Sequence, residues 1–167
     1  SNGSNCRRYI LGWRVSWDDF GNAGLYDKDH YKSGGVMKII LTGGTGYLGS
    51  HLVQSRLAQG DELACIVRDA AALKRLEPYK NQVTLIETCE KGSMREQIET
   101  FAPEVVLHTA CTYDRGGNTI ESVLSGNLFF PLEILRIVSE LGAVRWINTD
   151  TCLPASLNAY ALAKSQF

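Results

Sequence analysis

The sequence predicts an α/β fold: a parallel, doubly wound sheet with helices on both faces. Three observations predict it. From residue 37 onward, short apolar runs of strand length alternate with helical patterns. The first run, Lys38-Ile39-Ile40-Leu41-Thr42, feeds a glycine turn, Gly43-Gly44-Thr45-Gly46, that opens onto a helical pattern at Tyr47-Leu48-Gly49. Helical patterns are then cut near Gly60, Pro78 and Pro103, residue types that end helices. Such alternation implies right-handed crossovers, and ligands of such sheets sit beyond the carboxyl ends of the strands.

Residues 1–36 differ from the rest and are read as an N-terminal extension, with residues 37–167 as the α/β domain. The extension holds six of the fifteen aromatics. Tyr9, Leu11, Trp13, Val15 and Trp17 alternate with other residues, which predicts one strand with a buried face. Its aromatics are expected to pack. Arg7-Arg8 has no apolar run behind it, so a signal peptide is not expected.

In the domain, strand 1 is expected over 37–42 and the first helix over 46–59. Glu62 to Val67 reads as strand 2, and Ala70 to Leu76 as a helix stopped before Pro78. Val83 to Glu87 is strand 3, Met94 to Phe101 a helix, and Glu104 to Thr109 strand 4. Thr119 to Leu141 is a long helical pattern with Pro131 inside it, where a kink or a break is expected. Val144 to Thr149 is strand 5, and a last helix begins at Asn158.

The glycine turn carries the first chemistry. Gly44-x-Gly46-x-x-Gly49 fits the dinucleotide fingerprint of a Rossmann sheet, and Gly43-x-x-Gly46-x-x-Gly49 fits its short-chain variant. The first glycines allow a tight turn and close approach of backbone N–H groups to a pyrophosphate. Gly49 lets helix and strand pack closely, and the helix N-terminus favours the anion.

The second signal is Tyr160-Ala-Leu-Ala-Lys164, whose spacing of four puts both side chains on one helical face. A free tyrosine, with a pKa of about 10, is a poor acid or base near neutrality. A neighbouring ammonium is expected to bring it toward working pH. Strand 5 ends in Asn148-Thr149-Asp150-Thr151. A hydroxyl there can bond a substrate oxygen; Thr151 is the first choice and Thr149 the fallback, the alternative being that these residues cap the following turn.

Together, Thr42-Gly-Gly-Thr-Gly-Tyr-Leu-Gly49, His108-Thr-Ala-Cys111, Asn127 and Tyr160-x-x-x-Lys164 resemble the extended short-chain dehydrogenase/reductase family, over residues 37–167 and in that family's order. The family contains nucleotide-sugar epimerases, dehydratases and 4-keto reductases. Asn148-Thr-Asp-Thr-Cys-Leu-Pro154 and Leu157-Asn-Ala-Tyr-Ala-Leu-Ala-Lys-Ser-Gln-Phe167 are similar to its CDP-abequose synthase-like subgroup, which makes sugars for surface polysaccharide. The resemblance implies Thr151, Tyr160 and Lys164 as the catalytic set. It implies Gly43, Gly46, Tyr47, Leu48, Gly49, Arg68, Thr109, Ala110, Tyr160 and Lys164 as the cofactor-binding set, Lys164 bonding the nicotinamide ribose. It also implies a nucleotide-sugar substrate, a homodimer formed by helix pairing, and a substrate-binding part beyond Phe167 that is missing here.

Two positions depart from the family pattern. Where NAD-preferring members place an acid on the ribose 2′-hydroxyl, this chain has Val67 followed by Arg68. A guanidinium without a carboxylate suits a 2′-phosphate, so NADP is favoured over NAD; Lys74 and Arg75 are candidates to assist. After strand 3 the usual Asp is replaced by Glu87-Thr-Cys-Glu90. His108 is read as a packed core residue, and Asn127 as support for an irregular helical turn.

The bulk properties exclude other classes. A net charge of −1 with mixed signs offers no basic footprint for nucleic acid. No apolar segment is expected to reach the roughly 20 residues of a bilayer span. The odd number of cysteines, five, without C-x-x-C spacing, points to reduced thiols and a cytoplasmic protein, and no metal is called for. The competing reading is a dinucleotide-binding module without catalysis, or an inactive fragment.

Overall fold

The computed structural model describes residues 8–10, 13–15, 35–88, 91–142 and 144–167. The chain divides into two compact units, Ser1–Gly35 and Val36–Phe167. In the first, β1 (Arg8–Ile10) pairs antiparallel with β2 (Trp13–Val15), Ile10 opposite Trp13. The single strand expected over 9–17 is therefore two short ones. The sequence between them contains Gly12, a residue type that weakens strand continuity. The expected packing of this segment's aromatics lies outside the described residues.

In the second unit, alternation along the strands decides the layers. The strands are β3 (Lys38–Thr42), β4 (Glu62–Val67), β5 (Thr84–Glu87), β6 (Val105–His108) and β7 (Arg145–Asn148). They form one parallel sheet in the order β5-β4-β3-β6-β7. Successive side chains of a strand point to opposite faces. Ile40, Ala64 and Ile66 accordingly join a core with Met94, Ile98, Ile134 and Ile137. Ile39, Leu41, Leu63 and Cys65 join another with Val53, Leu73 and Leu76. Both faces of the sheet are thus covered, as a doubly wound fold requires.

The helices behind these cores are α1 (Tyr47–Ala58), α2 (Lys91–Phe101), α3 (Ile120–Leu124), α4 (Phe130–Ser139) and α5 (Ala159–Gln166). Helix α1 ends where expected. Gly60 takes φ 83°, its N–H reaches the Leu57 carbonyl and that of Asp61 the Arg56 carbonyl, a Schellman closure.

One helical expectation is corrected. In place of an α-helix over 70–76 there is a 3₁₀ stretch, Lys74–Tyr79, that runs through Pro78. Its bonds run from Leu76 N–H to the Leu73 carbonyl and from Lys80 N–H to the Glu77 carbonyl, so Pro78 need not donate. In the long helical pattern, the irregularity is a π-turn over Ser125–Phe129, and Pro131 sits in the first turn of α4. The helix runs on without a break from Ile120 to Ser139, so Pro131 lies inside it and offers no N–H to the turn before it. Within the π-turn lies Asn127, fully buried. Its Nδ2 donates to the Thr112 and Val123 carbonyls (2.6 and 2.9 Å), and its Oδ1 accepts from Thr112 N–H (3.0 Å). Asn127 thereby ties this helix to the loop after β6.

The expectation about apolar length also needs correction. Ile120–Ser139 spans 20 residues and, by length and composition alone, would pass for a membrane span. Val123, Ile134, Ile137 and Val138 of this segment are buried against the rest of the unit, while Ile120, Phe129 and Leu132 are exposed.

Candidate functional site

The crevice forms where β3 is flanked by β4 on one side and β6 on the other. Thr42 stands opposite both Ile66 and His108, so the loops leaving β3, β4 and β6 emerge together at the strands' carboxyl ends. They enclose a cleft of about 890 Å³.

The floor is the glycine turn. Gly43 has φ 75°, and a Cβ there would lie 2.7 Å from both Ala110 N and Thr109 Oγ1, so only glycine fits. Gly46 caps α1 with its backbone alone, with no side-chain cap bond. The first residues of the helix, Tyr47 and Leu48, line the cleft, and their N–H groups have no intrahelical acceptor. A cradle of bare glycine backbone beneath an uncapped helix N-terminus fits the pyrophosphate of a dinucleotide.

The wall beside it hangs on Thr42. Its buried Oγ1 accepts from the N–H groups of Thr109 and Ala110 (3.2 Å each) and lies 2.8 Å from His108 Nδ1. A hydroxyl already accepting twice donates to the ring, which assigns the imidazole proton to Nε2. His108 is fully buried; its Nε2 has no hydrogen-bond partner among the described residues, and the ring lies against Trp146 at 5.6 Å. Burial first, and the Lys164 ammonium second, push its pKa down to about 3. The core-histidine expectation fits this position. Because the folded value lies below the ordinary 6.5, the unfolded chain binds the proton first as pH falls. His108 thus contributes stability above about pH 6.5 that is lost progressively toward about pH 3. Thermal melts should fall less steeply over that window in His108→Gln than in the parent protein; equal slopes would refute the assignment.

On the far side stands α5. Asn158 caps it, its Oδ1 accepting from Ala161 N–H at 2.8 Å. The Asp114 carboxylate from the loop after β6 accepts from Ala159 N–H at 3.3 Å. Tyr160 and Lys164 both line the cleft. Lys164 is 2 % exposed, and its Nζ donates to the Thr149 carbonyl at 2.8 Å. Burial lowers its pKa, while Cys111 and Asp150 act the other way.

Tyr160 corrects the electrostatic expectation. Its pKa is raised, by burial first and then by Cys111 and Asp150, and a hydrogen bond with the Thr151 side chain pulls it down. The Lys164 ammonium is not among the causes, its bond being directed at the strand-end carbonyl. In this state the phenol is a proton donor at neutral pH.

Gly43, Gly46, Tyr47, Leu48, Gly49, Arg68, Thr109, Ala110, Tyr160 and Lys164 all line this one cleft. Thr151 does not line it. Its Oγ1 accepts from Leu153 N–H at 3.2 Å, the turn-capping role, and its link to the cleft runs through the Tyr160 hydroxyl. Thr149, which does line the cleft, gives its hydroxyl to the His108 carbonyl at 3.1 Å. Lys74 and Arg75 are exposed and do not reach the cleft. After β5, Thr88 lines the cleft, and Cys89 and Glu90 lie outside the described residues.

Sequence reasoning missed Tyr113 and the thiol beside it. The Tyr113 ring lies 5.2 Å from that of Tyr160, and its hydroxyl bonds the half-buried Cys111 thiol, which raises the Tyr113 pKa. No periodicity announces either residue, because both sit on an irregular loop. Cys65, Cys111 and Cys152 are free thiols, and burial pushes Cys65 up to about 12.

Comparison with known proteins follows the same lines. The profile of the NAD dependent epimerase/dehydratase family matches residues 39–162. A probable dTDP-glucose 4,6-dehydratase of Sinorhizobium fredii is 32% identical over 80 residues, 44% of this chain and 23% of its own length. A CDP-abequose synthase of Yersinia pseudotuberculosis is 28% identical over 141 residues, 77% of this chain and 47% of its own. The chain thus spans less than half the length of these relatives. Among solved structures, the Bordetella bronchiseptica enzyme WbmG in complex with NAD and UDP superposes with a TM-score of 0.68 at 24% identity, covering 81% of this chain and 49% of that one. The Thermus thermophilus UDP-glucose 4-epimerase in complex with NAD gives 0.63 at 22%, covering 77% and 47%. At such identities the likeness is one of fold.

Proposed function

Since the chain belongs to the NAD dependent epimerase/dehydratase family, we propose that it carries the dinucleotide-binding and proton-transfer part of an NAD(P)-dependent oxidoreductase or epimerase acting on a nucleotide-activated 4-keto sugar. One observation carries this reading: Tyr160 and Lys164 open into the same cleft as the glycine turn. The reading extends to a cytoplasmic enzyme of surface-polysaccharide sugar synthesis.

In this proposal the N–H groups of Tyr47 and Leu48 and the Gly43–Gly49 backbone hold the pyrophosphate, and Lys164 bonds the ribose. Arg68 follows Val67 at the end of β4 with no carboxylate in the family's acid position, which favours NADP. The bound dinucleotide supplies or removes the hydride. Tyr160 gives a proton to the sugar oxygen, or takes it in the reverse direction. Thr151, bonded to the phenol, orients it. Lys164 keeps positive potential beside the reacting oxygen in a site from which its own burial excludes water.

Titration calorimetry with NADP⁺ and NAD⁺, followed by an assay with NADPH and CDP-, UDP- or dTDP-linked 4-keto sugars, tests the proposal. Saturable binding, tighter for NADP⁺, and loss of reduced-nicotinamide absorbance are expected. Binding of neither dinucleotide would overturn it. Binding without turnover across the sugar panel would leave the dinucleotide-sensing module instead.

A further inference from the structure

Beside the cleft lies a second cavity of about 410 Å³ that shares Arg68, Tyr113 and Asn118 with it and adds Arg115. Two arginines from different loops thus line one small space. Neither has a carboxylate partner within ion-pair distance among the described residues, and the cavity lining contains no acid. Like charges sharing a wall repel, and an anion between them turns that repulsion into attraction. The cation is also held in place. The Arg115 guanidinium lies 4.5 Å over the Tyr113 ring, an arrangement that leaves the donor edge of the fork free. Arg115 N–H and Asn118 Nδ2 both donate to the Tyr113 carbonyl, each at 2.9 Å, which shapes the loop under the stack.

We propose that Arg115 is a second guanidinium that completes, with Arg68, a pocket for a phosphoryl group. The group is either the 2′-phosphate of the dinucleotide or the diphosphate of the nucleotide sugar. Guanidinium forks match phosphoryl oxygens in geometry as well as charge, so a cavity lined by two arginines and no acid suits that group. Only the source of the phosphoryl group rests on the function proposed above. Because the other side of the Tyr113 network meets the Tyr160 ring at 5.2 Å, filling this pocket also steadies the loop against the proton-transferring phenol.

The test is calorimetric titration of the parent protein, Arg115→Gln and Arg115→Lys with NADP⁺, NAD⁺, UDP, CDP and inorganic pyrophosphate. Arg115 is exposed, so both variants should melt with the parent. Loss of a charge-assisted bond is expected to weaken the phosphoryl ligand by about tenfold or more in Arg115→Gln, with partial recovery in Arg115→Lys. Weakening of NADP⁺ with NAD⁺ unchanged identifies the 2′-phosphate. Weakening of UDP and CDP with both dinucleotides unchanged identifies the diphosphate. Unchanged affinity for all five probes overturns the proposal. If the parent binds neither dinucleotide, the function proposed above falls. The pocket is then decided by pyrophosphate and UDP, whose weakening supports it and whose indifference refutes it.

Discussion

Tyr160→Phe is expected to lower kcat by about 10²–10⁴-fold, the usual worth of a positioned proton donor. The substitution removes one oxygen and leaves the ring, so the packing against Tyr113 at 5.2 Å survives. Dinucleotide affinity should therefore stay close to that of the parent, while the sugar oxygen loses its proton. The raised pKa of Tyr160, set by burial and by Cys111 and Asp150, keeps the phenol protonated at neutral pH and ready to donate. Steady-state turnover with NADPH and a nucleotide-linked 4-keto sugar, alongside calorimetric binding, reads the two effects apart. Near-parental turnover would eliminate Tyr160 as the donor, and lost binding would show that the phenol holds the cofactor instead.

Gly49→Ala is expected to damage fold and cofactor site together. A Cβ on Gly49 would sit 2.1 Å from the Gly43 carbonyl oxygen, 2.6 Å from its carbon and 2.9 Å from the Gly44 Cα. These are backbone atoms of the turn itself, and Gly46 N–H already bonds the same Gly43 carbonyl at 2.9 Å. The helix must move away from β3 or the turn must open; either relaxation destabilises the protein by about 3 kcal/mol, toward the upper end for overpacking. The urea midpoint should drop and dinucleotide binding should vanish. Gly46→Ala, whose Cβ would meet only the Gly43 oxygen at 3.1 Å, should lose less stability. A Gly49→Ala protein with parental midpoint and binding would contradict the close-packing account of this turn.

Much of this site was legible before any coordinates. The glycine spacing fixes a turn between strand and helix because Gly43 and Gly49 leave no room for a side chain and Gly46 little, and that demand is local. The spacing of Tyr160 and Lys164 is likewise local, since four residues make about one helical turn. Burial of β3 and β4 on both faces follows from continuous apolar runs bounded by turn residues. Elsewhere local cues misled. Pro78 reads as a stop, yet a 3₁₀ stretch passes through it because its N–H is not required. The irregular turn that Pro131 and Asn127 led one to expect is present, and what stayed hidden is its anchor: the three bonds of Asn127 reach a loop 15 residues earlier as well as its own helix.

The sequence by itself determined the strand order's raw material, the glycine cradle and the tyrosine–lysine face, because each depends on neighbours within a few residues. Only the tertiary structure decided which charges surround Tyr160. The Lys164 amine turns to the Thr149 carbonyl, and Cys111 and Asp150 approach the phenol from separate loops. Only it placed Arg115 and Arg68 around one cavity, although 46 positions separate them in the chain. A pKa and an anion pocket are sums over charges at ångström range, and that range is fixed by how the loops meet after the sheet has formed.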